Sequence, residues 1–98
     1  MKLQIGTHLV KIQEKRIPSS ENCDGMTDWD DSTILVEKNL TDSAYKATLV
    51  HEILEFINEC TERFIFNESD EYKEQKISTL AELLIPLIKD NILQRDSK

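Results

Sequence analysis

A histidine and two glutamates with a spacing that could bind a metal ion lie in the segment TLVHEILEFINE, residues 48–59. On a helix, positions i and i+4 share one face, so His51 and Glu55 would point the same way. An imidazole nitrogen and a carboxylate oxygen placed like this can bind one divalent cation. Glu52 is turned by about 100° from His51, so its carboxylate would face a water molecule on that cation. The spacing therefore indicates a metal site with a general base beside it.

The donor types decide which metal and which reaction such a site would support. Zinc lowers the pKa of a water that it binds, and Glu52 would take the proton as that water attacks a carbonyl. Motifs of the type His-Glu-x-x-His supply a second histidine, whereas this chain has Glu55 at that position. A carboxylate is a harder ligand and tolerates manganese or iron better. We therefore expect zinc, with manganese or iron as alternatives.

A plain solvated helix face is the competing interpretation of the same residues. Glutamate is abundant in this chain, so a histidine followed by this pattern also arises by chance. On the helical wheel His51 and the glutamates lie opposite the apolar residues, where a face in water would place them. A face that lines a cleft would have the same pattern, and both interpretations stay open.

A third ligand has to come from another element. Glu74 lies about 60° round the helical wheel from Ile77, on the packing side of a second amphipathic segment. A carboxylate there needs a partner, because an unpaired buried charge is costly. Glu74 is therefore our preferred third ligand, and its alternative role is a rim carboxylate that reaches solvent or a lysine. Glu71 is the next candidate, and we expect His8 to be an ordinary surface residue.

The elements that would position these residues change their hydrophobic period near Asn39. Residues 2–16 and 25–37 alternate in polarity as strands do, with turn residues between the arms of each hairpin. Beyond Asn39, apolar residues recur at helical spacing. The pattern predicts an α+β fold, in which a small antiparallel sheet of three or four strands is followed by two long helices.

The two helices are predicted over residues 42–63 and 71–94. Thr41 is a good N-cap for the first, and Pro86 should kink the second near Leu83 to Ile85 because its ring removes a backbone hydrogen bond. The apolar stripe of the first helix is Leu49, Val50, Ile53, Leu54, Phe56, Ile57, Cys60 and Phe64. The face of the second is Ile77, Leu80, Ala81, Leu84, Ile88 and Ile92.

A chain of 98 residues is expected to form one domain. Residues 1–40 would be its sheet region, residues 41–94 its two-helix region and residues 95–98 a frayed tail. The most apolar window, LAELLIPLI, is short and contains Glu82 and Pro86, so we expect no membrane span. The first residues alternate instead of running apolar, so we expect no signal peptide and a cytoplasmic location.

Charge and cysteine content narrow the partners and the compartment. The net charge of −7 disfavours direct nucleic-acid binding, which needs lysine and arginine at the phosphates. Cys23 and Cys60 have neither metal-type nor disulfide-framework spacing, so we expect free thiols, with Cys60 on the buried stripe.

The acidic segment that starts at Asp28 fails as an EF-hand, because Thr33 and Asn39 replace the required glycine and glutamate. We expect Trp29 to be a core residue of the second hairpin.

The stretches TLVHE, EFIN and LIKDN, in a chain that leads from strands through a cap into a His-Glu helix, resemble the small zincin-like proteins of phages and mobile elements. The resemblance covers most of the chain from about Gly25. It implies a minimal zincin-like, metallopeptidase-type fold in a bacterial host cytoplasm. His51 and Glu55 would match the metal-ligand positions and Glu52 the general base, while the downstream ligand, often a histidine in similar sequences, would fall near Glu74.

Three functions remain open at this stage. The first is a zincin-like metal-binding protein that hydrolyses peptides. The second is a catalytically silent relative that binds and modulates a host protein. The third is an acidic inhibitor that imitates nucleic acid and occupies a basic partner.

Overall fold

Among the residues that the computed structural model describes, which are 1–18, 21, 23–61 and 69–88, strands come first and helices follow. This order is the α+β arrangement that the change of hydrophobic period predicts. The elements are Lys2–Ile5 (β1), His8–Lys15 (β2), Gly25–Asp28 (β3), Thr33–Glu37 (β4), Asp42–Cys60 (α1) and Asp70–Leu84 (α2).

The sheet has the strand order β1-β2-β4-β3, and both predicted hairpins are present. It is mixed, however, and not antiparallel throughout, because β2 and β4 pair in parallel. After β2, the chain crosses past the position of β4 and runs back as β3 on the far side of that position. The turn after β3 reverses the chain again, so β4 lies between β2 and β3 and runs parallel to β2. Glu37 at the end of β4 anchors this crossing by accepting a 3.0 Å hydrogen bond from the backbone N–H of Ile17. The crossing leaves β3 at an edge of the sheet.

Helix α1 begins as predicted, with the hydroxyl of Thr41 accepting a 3.2 Å hydrogen bond from the backbone N–H of Ala44. Its buried stripe is rotated relative to the predicted one. Predicted stripe members such as Ile53, Leu54 and Ile57 are only half-buried. The side chains most deeply buried on this helix are Tyr45, Leu49, Val50, Glu52, Phe56 and Asn58.

Two predicted core positions at one end of the sheet are wrong. Trp29 lies in the turn between β3 and β4 and is 50% exposed, with its indole stacked on Phe56 at a ring-centre distance of 5.0 Å. Cys60 is exposed, because it is the last residue of α1, one turn beyond the buried Phe56. His8 is exposed, as predicted, and packs edge-on against Phe56.

Helix α2 stops where Pro86 was expected to kink it. The α-helix ends at Leu84, a 3₁₀ turn follows at Ile85–Leu87, and Ile88 is extended. The proline cannot donate to the helix and its ring clashes with the preceding turn, so the helix ends instead of bending. Ile77 and Ala81 are buried as predicted, but Leu80 is exposed.

The predicted positions Glu62, Arg63, Phe64 and Ile92, the rest of residues 89–94 and the tail at residues 95–98 lie outside the described residues. Within the described part of the chain, neither helix has the length and apolar character that a membrane span requires.

Candidate metal centre

Helix α1 brings His51, Glu52 and Glu55 together, with one potential ligand atom from each lying within 4.8 Å of the other two. Nε2 of His51 is 3.9 Å from Oε1 of Glu55, as their i, i+4 spacing requires. The histidine and Glu55 are half-buried, and Glu52 is only 7% exposed. This face of the helix therefore lines a cleft and is not a plain solvated face.

Helix α2 contributes Glu74, the predicted third ligand. Its Oε2 lies 2.9 Å from Nε2 of His51, and its side chain is 48% exposed at the rim of the site. The predicted ligands from two helices thus converge on one imidazole nitrogen. Glu71, the second choice for this role, is exposed.

Ser78 on α2 contacts the other nitrogen of the same ring, with its Oγ 3.4 Å from Nδ1 of His51. In the metal-free structure, Nε2–H of His51 donates to the Glu74 carboxylate. A cation between them would take the place of that proton, and Nδ1 would then carry the ring proton and donate it to the Ser78 hydroxyl. Sequence reasoning missed Ser78, although it is four residues after Glu74 and therefore on the same helical face.

Strand β3 holds Glu52 from the opposite side. The hydroxyl of Thr27 donates a 3.1 Å hydrogen bond to Oε1 of Glu52. Gly25 lets the strand approach the helix closely, because a Cβ at this position would lie 2.7 Å from Cγ2 of Thr48 and 2.9 Å from Cγ of Glu52. Sequence reasoning missed both residues. The signal available in the sequence was Glu52 itself. This charged residue lies seven positions after Tyr45, on the same face of α1, and a charged residue on a buried face needs a polar partner.

The carboxylates perturb one another's acidity. Burial raises the pKa of Glu55 to about 8, helped by its hydrogen bond to Glu74 and by the charges of Glu52 and Glu74. Burial also raises the pKa of Glu52, against the lowering effect of the Thr27 hydrogen bond. The pKa of Glu74 is lowered, first by the hydrogen bond from Glu55. At neutral pH, Glu55 therefore keeps its proton and donates a hydrogen bond to ionised Glu74.

A cavity of about 430 Å³ lies over these side chains, between α1, α2 and the start of β3. Its wall includes His51, the three glutamates and Ser78, together with Cys23 of the preceding loop. This volume falls in the range of small-molecule and substrate sites. The carboxylates therefore face a space that a substrate segment can enter.

The distances suit a shared divalent ion. Ligand atoms at 2.0–2.2 Å from a tetrahedral zinc lie about 3.3–3.6 Å apart, and the separations of 2.9 Å and 3.9 Å from Nε2 of His51 lie on either side of this range. The donors are one nitrogen and two carboxylates, a combination that accepts zinc, manganese or iron. A cation would also replace the proton that Glu55 and Glu74 share.

Comparisons of this chain with models of known protein families, with curated proteins and with solved structures found no match.

Proposed function

We propose that this chain is a zincin-like, metal-dependent hydrolase that acts on peptide bonds. His51, Glu55 and Glu74 would hold the metal, with zinc the first choice and manganese or iron as alternatives. The observation that carries the proposal is the convergence of ligand atoms from two helices on Nε2 of His51, beside the buried carboxylate of Glu52. A bound divalent ion would supply Lewis acidity and lower the pKa of water at this position.

Each of the surrounding residues has a definite task in this proposal. Ser78, which contacts Nδ1 of His51, would accept the ring proton in a hydrogen bond and so leave Nε2 as the ligand atom. Thr27 occupies one oxygen of Glu52, which leaves the other to take a proton from the attacking water. The raised pKa of Glu52 brings this carboxylate nearer to neutral pH, where a general base works best.

The edge strand β3 indicates what kind of substrate could be presented to these residues. Within the described part of the chain, no strand pairs with the outer edge of β3, and this strand borders the cavity at Gly25. An exposed edge can pair with an extended peptide through backbone hydrogen bonds. An extended peptide segment is therefore the proposed substrate. As in the phage and mobile-element proteins that the chain resembles, we expect it to act in the bacterial cytoplasm.

One observation favours a second candidate, a catalytically silent protein of similar fold that binds a host protein. The ligand residues already satisfy one another, since Glu74 pairs with His51 and accepts a hydrogen bond from Glu55. A site that is closed in this way could persist as an ordinary polar network between two helices.

A metal titration followed by thermal unfolding separates the two candidates. For protein treated with chelator, zinc or manganese at a hundredfold excess over its dissociation constant should add about 2.7 kcal/mol of stability. The rise in melting temperature should disappear in His51→Ala and Glu74→Ala. Glu52→Gln should retain the rise but lose metal-dependent cleavage of a casein substrate. A melting temperature of the chelator-treated wild type that rises with neither metal would refute the metal site and leave the silent binder.

A further inference from the structure

A second cavity, of about 230 Å³, lies on the other side of Glu52 and Glu55. Its wall also includes Thr27, Trp29, Glu59 and Lys73. Pockets for whole drug-sized ligands start at roughly 300 Å³, so this cavity suits a single side chain. Because Glu52 and Glu55 line both cavities, a side chain bound here would belong to a residue next to the bond at the candidate metal centre.

Trp29 gives this cavity an aromatic wall. The indole stacks on Phe56 with an angle of 15° between the rings, and Phe56 is itself buried. The tryptophan is thereby held in place while half of its surface remains exposed. A half-exposed indole in a fixed position can bind an apolar group or a cation over its ring.

The charges around Trp29 decide between these two kinds of group. The acidic side chains in the wall of this cavity are Glu52, Glu55 and Glu59. Lys73 is the cation of the wall, but its side chain is only 13% exposed and its ammonium lies 3.8 Å from Asp70. Among the described residues that line the cavity, acidic side chains thus outnumber the single cation, which favours a positively charged group.

We propose that this second cavity receives the side chain of an arginine or lysine next to the scissile bond, which makes basic peptides the substrate class of the site. This inference rests on the proposed function. The cationic group would lie over the indole of Trp29 and pair with the carboxylate of Glu59. Arginine should bind better than lysine, because a planar guanidinium both stacks on aromatic rings and forms two parallel hydrogen bonds to a carboxylate.

The fluorescence of Trp29 gives a direct test, since it is the only tryptophan of the chain. Chelator-treated protein is titrated with the capped tripeptide Gly-Arg-Gly and with the same peptide carrying citrulline, the neutral isostere of arginine. The arginine peptide should change the fluorescence and bind at least roughly fivefold more tightly than the citrulline peptide. Raising the salt concentration should reduce this difference.

A matched pair of variants assigns the effect to the cavity. Glu59→Gln should remove most of the preference for arginine over citrulline. Glu82→Gln makes the same change in charge at the wall of the first cavity and should leave the preference intact. Circular dichroism of both variants checks that each retains the fold.

The metal titration and this binding test can fail independently. A preference for arginine that persists in His51→Ala, and is lost in Glu59→Gln, supports the subsite even if that protein binds no metal. Equal binding of the arginine and citrulline peptides, or a preference that survives Glu59→Gln, would overturn the inference even if metal-dependent hydrolysis is found.

Discussion

Nε2 of His51 and Oε2 of Glu74 lie 2.9 Å apart, although the two residues are 23 positions apart in the chain. This contact connects α1 with α2 at the rim of the candidate metal centre. The same two side chains therefore take part in docking the helices and in any metal binding between them.

Glu55 makes the stability of the protein depend on pH. Its pKa rises from an ordinary value of 4.5 to about 8 in the folded protein, so the folded state holds the proton more tightly than the unfolded chain does. The resulting stabilisation is fully present below pH 4.5 and is lost as the pH rises through 8. Glu55→Gln stays neutral and should remove this loss. At pH 9 we expect the variant to be more stable than the wild type, by on the order of 1 kcal/mol after allowance for solvent screening.

Urea unfolding at pH 5 and pH 9 measures this effect in the absence of metal. Glu59→Gln, one turn further along α1, is the control and should follow the wild type. If Glu55→Gln loses as much stability as the wild type between these two values, Glu55 does not carry the proton.

Ser78 should matter to metal binding more than to folding. Removing a group that orients a histidine ligand typically reduces metal affinity 10- to 100-fold. Because Ser78 is exposed, Ser78→Ala should bind zinc about tenfold more weakly while the metal-free protein melts unchanged. Competition with a chromogenic chelator gives the affinity, and Thr79→Ala, the exposed neighbour, should keep the wild-type value. Unaltered zinc affinity in Ser78→Ala would show that the 3.4 Å contact to Nδ1 is incidental.

Gly25 permits the close approach of β3 to α1, so Gly25→Ala should destabilise the protein. The added methyl group would come within 2.7 Å of Cγ2 of Thr48 and 2.9 Å of Cγ of Glu52, which is overpacking of a kind that costs roughly 1–3 kcal/mol. Adding Thr48→Ser deletes the nearer of the two atoms and should recover part of the loss. Chemical unfolding of both variants provides the comparison, and a double variant no more stable than Gly25→Ala would point to another cause.

The two cysteines are free and exposed, so both should react with a thiol reagent in the folded protein without reductant. Cys23 should react slowly at neutral pH, because partial desolvation of its thiol and then the charge of Glu21 raise its pKa above 9.0, and the thiolate is the reactive form. The reaction rate of Cys60→Ala against pH reports Cys23 alone. A midpoint at or below the ordinary value would contradict the raised pKa.

Much of this architecture follows from local patterns in the sequence. Alternation of Val10 and Ile12 with outward residues is confirmed in β2, and Thr41 caps α1 at the predicted position. The i, i+4 spacing puts His51 and Glu55 on one face in any helix, whatever packs against it. These features are predictable because the geometry of a single strand or helix determines them.

Tertiary structure alone decided which side of α1 meets the sheet. The strands cover the stripe that contains Leu49 and Phe56, which buries Glu52 against β3 and places Thr27 beside it. The hydrophobic period of the sequence cannot predict how α1 is rotated about its axis, because the half-buried Ile53 and Leu54 are just as apolar as the residues that the sheet covers. The parallel pairing of β2 with β4 likewise depends on the path of the connecting chain. The helix geometry thus brings His51 and Glu55 together, while the packing of α2 and β3 against α1 adds Glu74, Ser78 and Thr27 to the site.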